Sequence, residues 1–232
     1  MKKTLITLIG LAALSLAGVQ GQVTMTYAFT NNSASSTSGV PDNFTISGFS
    51  IGNSLGNVTV PVTSSSVSTS YTGASGTSNI GNAFKIGALD LATSGYIQVT
   101  VTPTTGYSLS FTNFDFGVRS TSTGAASFAL RSSVDSYATD IFTTSTTANS
   151  AWTLKTNAFS YSAPVDTPVS LRLFGYGGAG SPASGTINTR FDDISITLQA
   201  NAAAVPEPST WALIGIGSAF LLWRIRRKNS AV

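Results

Sequence analysis

Carboxylates are the main reactive groups of this 232-residue chain, which contains no histidine and no cysteine. Without histidine it lacks the side chain that titrates near neutrality and the commonest ligand of transition metals. Without cysteine it has no thiolate nucleophile and no disulfide. Eight aspartates remain, Asp42, Asp90, Asp115, Asp135, Asp140, Asp166, Asp192 and Asp193, with a single glutamate, Glu207. Two carboxylates could serve as the acid and the nucleophile of a polysaccharide hydrolase. These aspartates are scattered without a pairing signal, and turn or capping roles account for most of them. Asp192 and Asp193 are the one adjacent pair; they are expected to open the last strand, where hard oxygens could hold a structural calcium. A serine nucleophile would need a lysine base. Only Lys85 and Lys155 lie between the termini, with no serine-lysine motif around either. The chain therefore reads as no enzyme, with no cofactor beyond that calcium.

The net charge is +3, but its placement decides what it means. Lys2 and Lys3 stand at the N-terminus, and Arg224, Arg226, Arg227 and Lys228 crowd the C-terminus. Between them six cations face eight aspartates, so the middle is slightly acidic and nucleic-acid binding by a basic face loses its support. Serine and threonine together number 67 and charged residues make up only 9%, which predicts a surface of hydroxyls and amides. Such a surface suits sugars better than ions. Trp152, Tyr107, Tyr137, Phe174 and Tyr176 are candidates for a sugar-stacking platform. Asn31-Asn32-Ser33, Asn43-Phe44-Thr45 and Asn57-Val58-Thr59 fit the N-glycosylation pattern, which a composition this rich in Ser and Thr also produces freely.

Residues 1–21 combine a Lys-Lys start, an apolar run from Leu5 to Leu16 and the small residues Ala17, Gly18 and Gly21. This is the pattern of a secretory signal peptide, with cleavage expected near Val19-Gln20-Gly21. A dozen apolar residues would reach only ~18 Å as a helix, too short for a ~30 Å hydrocarbon core.

At the other end, a linker over 200–204 leads into Val205, Pro206, Glu207 and Pro208. The proline pair blocks helix and sheet alike and leaves an extended strip. Thirteen uncharged residues, Trp211 to Trp223, follow, and then Arg224-Ile225-Arg226-Arg227-Lys228. A proline-flanked glutamate, an apolar segment and a terminal basic cluster, in that order, resemble the PEP-CTERM sorting signal. The resemblance implies an exosortase as partner, a membrane-embedded cysteine protease-transpeptidase of Gram-negative bacteria that make exopolysaccharide. It also implies a transient membrane anchor at 205–232 and delivery to the cell surface or extracellular matrix of a biofilm. Position by position, Pro206, Glu207 and Pro208 match the signature. The basic cluster would stay cytoplasmic by the positive-inside rule, holding the proline strip just outside the membrane. A second resemblance covers roughly 95–199, including Ser127-Phe128-Ala129-Leu130-Arg131-Ser132-Ser133-Val134-Asp135 and Arg190-Phe191-Asp192-Asp193-Ile194. It looks like passenger domains found beside this signal, which have no assigned activity.

Between the flanking signals, residues 22–199 read as short β-branched and aromatic runs broken by Gly, Asn, Ser and Pro, without a helical period. The clearest run from Tyr96 to Val101 and from Ile187 to Leu198, where Ile194, Ile196 and Leu198 share one face. Others are expected near Val23–Thr30, Phe44–Ile51, Val58–Thr63, Val67–Thr72, Phe84–Leu89, Tyr107–Arg119, Ser127–Ser132, Ala151–Phe159 and Val169–Tyr176. Gly177 to Gly185 and Asp135 to Thr147 read as loops. The expected fold class is all-β, a two-sheet β-sandwich of jelly-roll type, flanked by an N-terminal signal peptide and a single C-terminal transmembrane helix. The expected function is that of a non-enzymatic exported surface or matrix protein. The alternatives are a lectin-like carbohydrate-binding module, with exopolysaccharide as the partner, or the hydrolase.

Overall fold

The computed structural model describes residues 21–35, 38–203 and 217–218. The expected signal peptide over 1–21, apart from Gly21, the motif Val205–Pro208 and the cluster Arg224–Lys228 lie outside the described residues. So does the expected transmembrane segment, apart from Gly217 and Ser218. Among the described residues no helix is long and apolar enough to cross a membrane.

The domain is all-β, as the alternating runs predict. Its strands are β1 (Val23–Tyr27), β2 (Phe44–Ile46), β3 (Ser50–Gly52), β4 (Val62–Thr63), β5 (Asn79–Asn82), β6 (Tyr96–Pro103) and β7 (Tyr107–Ser120). They continue as β8 (Ser127–Ser132), β9 (Phe142–Ser145), β10 (Trp152–Lys155), β11 (Ala158–Ser162), β12 (Val169–Tyr176) and β13 (Thr189–Ala202). Two antiparallel sheets result. One runs β10-β7-β13-β5-β4, with β1 also on β13 and β11 also on β7. The other runs β2-β6-β12-β8-β9, with β3 also on β6.

The inward faces of both sheets share one core in a sandwich-like arrangement. Phe116 of β7, Phe128 of β8 and Phe191 of β13 are fully buried and meet edge to face, with ring centroids 5.5 to 5.9 Å apart. Phe84 closes on Phe191 at 6.0 Å. Edge-to-face packing sets the positive rim of one ring against the negative face of the next.

Two bulges keep apolar residues inward along the 14-residue strands β7 and β13. On β13, Phe191 and Ile194 both face the core, three positions apart, which a period of two forbids. The ladder jumps from Asp192 opposite Gly117 to Ser195 opposite Asp115, so Asp193 and Ile194 share Phe116. Asp193 takes a left-handed φ of 48° there, and the phase flips so that Ile194, Ile196 and Leu198 turn inward. On β7 the same problem between Phe111 and Phe114 is solved by leaving Thr112 unpaired, with Thr197 opposite Asn113 and Leu198 opposite Phe111.

Several expected strands are corrected. Val67–Thr72 alternates like a strand, but Ser66 and Ser70 adopt φ of 55° and 71°, and the segment is an irregular strap. Phe84–Leu89 is not a strand; the ladder lies earlier, in the polar β5. Asp135–Thr147, read as a loop, contains β9. Phe44–Ile51 and Ala151–Phe159 are each split in two. β13 runs past residue 199, because Ala200, Asn201 and Ala202 pair with Leu109, Ser108 and Tyr107, and the expected linker shrinks accordingly. Produced alone, residues 22–204 are expected to give a β-type circular dichroism spectrum and one cooperative melt, since the core draws on both sheets. A helical or disordered spectrum would overturn this.

Candidate functional site

The β13 bulge places the Asp192 and Asp193 pair inside the strand rather than at its opening. Asp192 is wholly buried because the strap between β4 and β5 folds over it. Asp192 Oδ1 accepts from the Asp193 amide at 2.8 Å, and Oδ2 from Ser75 Oγ at 3.2 Å. Asp193 Oδ2 accepts from Tyr71 Oη at 2.5 Å, Ser75 N at 3.1 Å and Ser68 Oγ at 3.3 Å. Gly117 makes room for the strap: a Cβ there would lie 2.1 Å from the Tyr71 hydroxyl. Trp152 Nε1 donates to Ser66 O at 3.2 Å and pins the strap's other end. Calcium takes six to eight oxygens, largely free carboxylates and carbonyls. Here three carboxylate oxygens are already filled by protein donors, and among the described residues no group of three or more acidic or imidazole ligands gathers. The donor set does not fit calcium. The pair is a lock for the strap.

Burial pushes the Asp192 carboxyl up to about 7, and the Asp193 charge beside it adds to the shift. Burial, then the hydrogen bond to Asp193, also pushes the Tyr71 hydroxyl well above its usual range. The other charged groups near this face are Arg190, which donates to Asn79 Oδ1 at 3.0 Å, and Arg119 opposite it. A carboxyl whose folded pKa exceeds its unfolded value makes the native state bind more protons. Its contribution is therefore full below the unfolded value of 3.8, declines as pH rises, and is gone above about 7. The melting temperature of the chain is expected to fall between pH 5 and pH 8, and Asp192→Asn is expected to flatten that slope. Melts of both proteins at the two pH values check it.

The proposed sugar-stacking residues do not form one platform. Trp152 is covered by the strap, with Tyr71 6.5 Å away. Phe174 is fully buried beneath Tyr96 and Tyr137, at 5.3 and 6.2 Å. The Arg172 guanidinium lies 4.1 Å from the centroids of both tyrosines, and its Nε donates to Gln98 Oε1 at 2.7 Å. Asp135 prepares this stack by accepting from the amides of Ala138 and Thr139, which turns the chain through left-handed Ser136 and Tyr137. Arg131 then fixes it, pairing with Asp140 and donating to Tyr137 O. Tyr176 ends β12 half-buried and is in no ring contact with the others.

Tyr107 lies elsewhere, lining an open cavity of about 430 Å³ with Pro41, Asp42, Asn43 and Thr104. Antiparallel pairing of β2 with the end of β6 brings 41–43 against Thr104. Thr104 N donates to Asn43 O at 2.9 Å and Thr104 Oγ1 to Asp42 O at 3.0 Å. The Asn43 side chain is 7% exposed and its Oδ1 has no hydrogen-bond partner among the described residues. In the sequence Asp42, a lone aspartate beside a proline, looks like any turn residue.

The family model of the PEP-CTERM protein-sorting motif matches residues 204–228. No curated protein matches the chain. The matched stretch contains Pro206, Glu207, Pro208 and the whole basic cluster, beginning two residues after β13 ends. A chain carrying this motif is an exported substrate of an exosortase, anchored in the membrane before processing.

Proposed function

We propose that this is a non-enzymatic surface or matrix protein of an exopolysaccharide-producing Gram-negative bacterium. The signal peptide, 1–21, starts export, and Trp211 to Trp223 halts it as a transmembrane helix. An exosortase then cuts near Pro206-Glu207-Pro208 and leaves the passenger outside. The sorting motif at 204–228 is the observation that carries this reading.

The passenger is best read as a jelly roll. Taking β5 to β9, β10 with β11, β12 and β13 as strands one to eight, the first sheet orders as one-eight-three-six and the second as two-seven-four-five. Absence of enzymatic activity is supported by the carboxylates themselves. Asp90, Asp115, Asp135 and Asp166 accept backbone amides, Asp140 pairs with Arg131, and Asp192 and Asp193 hold the strap. A second reading, carbohydrate binding by the passenger, is favoured by the Tyr107 cavity. To test delivery, the exosortase gene of the producing bacterium is deleted. The full-length chain is then expected in the membrane fraction, and its release without the enzyme would overturn the reading.

A further inference from the structure

We propose that Gln22 is a modification site of the exported chain: removal of the signal peptide after Gly21 frees the Gln22 α-amine, which closes on its own Cδ to give an N-terminal pyroglutamate and ammonia. The inference rests on the export reading, because it needs the cut at Val19-Gln20-Gly21, and it adds to that reading what becomes of the new terminus.

The sequence sets the junction. Val19 and Gly21 place compact side chains at the third and the last position before it, the spacing such a cut requires, so Gln22 becomes the first residue of the exported chain. The fold leaves that residue free to react. Gly21 and Gln22 are both exposed and precede β1, whose first residue, Val23, is already paired with Leu198. A Cβ built on Gly21 would meet nothing within 4 Å among the described residues, so the junction stands clear of the domain. Gln22 Nε2 donates to Thr112 Oγ1 at 3.4 Å, at the long limit of a hydrogen bond and exposed to water, so little holds the side chain away from the amine. Ring closure joins the amine nitrogen to Cδ through Cα, Cβ and Cγ, a five-membered lactam. Both reacting groups belong to one residue, so proximity replaces an encounter. The uncharged amine attacks Cδ, the Cδ–Nε2 bond breaks, and the proton lost by the amine leaves with Nε2 as ammonia. The step needs no oxidant, metal or second side chain. Because the reactive amine is the uncharged form, closure quickens as pH rises through the α-amine range of about 7.7–8.0. The product has neither a charge nor a free amine, which leaves an aminopeptidase nothing to grip. Protection at this place matters, because trimming past Gln22 would shorten β1, one of the strands bonded to β13.

The test uses the full chain, expressed with its own N-terminal segment in an exporting Gram-negative host, purified from the membrane fraction and held for days at neutral pH. Free amines of the intact protein are dimethylated before chymotryptic digestion, so that only a terminus already closed escapes the label, and the N-terminal peptide is read by mass spectrometry. That peptide is expected to begin at residue 22, to carry no label and to be lighter than its sequence by one ammonia, about 17 Da. Gln22→Ala keeps the cut but has no amide to lose. It is expected at its full sequence mass, labelled, and open to an aminopeptidase that leaves the parent intact. Gln22→Glu, whose leaving group would be water, is expected to remain labelled over the same period. The exposed side chain lies ahead of β1, so both variants keep the fold. A labelled parent peptide that begins at residue 22 with its full mass overturns the proposal and leaves the export reading standing. A peptide that begins at any other residue overturns the proposal together with the expected cut, and retention of residues 1–21 overturns the signal peptide itself.

Discussion

Glu207→Ala is expected to leave the protein uncut and membrane-bound in a host that expresses an exosortase, and removal of Arg224 through Lys228 is expected to do the same. Two requirements meet in the matched stretch 204–228. The protease needs a strip that cannot retreat into secondary structure, and Pro206 and Pro208 enforce this by fixing φ and removing two amide donors. On the proposed reading it also needs that strip at a set depth, which a basic cluster kept cytoplasmic by the positive-inside rule would provide. Glu207 is the only glutamate in the chain, so its loss leaves no substitute carboxylate of that length nearby. The apolar stretch is short: thirteen residues reach ~20 Å as a helix, against a core of ~30 Å. In the proposed anchor, local thinning and snorkelling of Arg224 would make up the difference, and the cluster is then expected to matter more than in a longer anchor. An immunoblot of membrane and released fractions reads both variants. Processing of Glu207→Ala like the parent would reduce the C-terminal segment to a plain anchor.

Phe191→Ala is expected to cost about 3–5 kcal/mol, the range for emptying a buried aromatic site. Domains of this kind hold only about 5–15 kcal/mol in total. Phe191 is fully buried and its ring meets Phe84, Phe116 and Phe128 at 6.0, 5.7 and 5.5 Å. Collapse into the void is hindered, because Phe116 and Phe128 belong to strands of opposite sheets and the backbone beside Phe191 is committed to the bulge at Asp193. The urea midpoint should drop steeply. Thr24→Ala, which removes an exposed hydroxyl contact with Thr197, is expected to shift stability by no more than about 0.5 kcal/mol. A Phe191→Ala midpoint close to the parent's would mean that the three-ring contact is not where the stability lies.

Strong alternation made β6, β8, β12 and most of β13 legible, since a period of two with one buried face has few competing explanations. β5 was missed because its Asn79 and Asn82 look like turn residues. In the fold both are buried and spend their amides on backbone carbonyls, at Ser65 and Ser66 of the strap for Asn79 and at the strand ends Gly52 and Tyr96 for Asn82. The strap reads as a strand because left-handed serines leave no mark in a Val-Ser-Thr-Ser run. Asp192 and Asp193 were visible as a pair, but not their partners, since Ser68, Tyr71 and Ser75 come from more than a hundred positions away. For the same reason nothing in the sequence links Arg172 with Tyr96 and Tyr137. The motif around Glu207 was legible because its order along the chain is its signal.

The position of β13 dictates a sequence of events in time. β13 is bonded to β1, β5 and β7, and Val23 at the start of the described domain is the neighbour of Leu198. A chain threaded outward from its N-terminus brings β1 out first and its partner last. Contacts this distant in sequence slow folding, because the intervening loop must close before they repay its entropy. The edge of β1 stays unpaired for that interval, a template for stray pairing with other chains. Only residues 203–205 separate the end of β13 from Pro206. β13 and the strip at Pro206 therefore emerge within one short stretch of translocation, and pairing of β1 with β13 cannot begin until the sorting segment is about to follow.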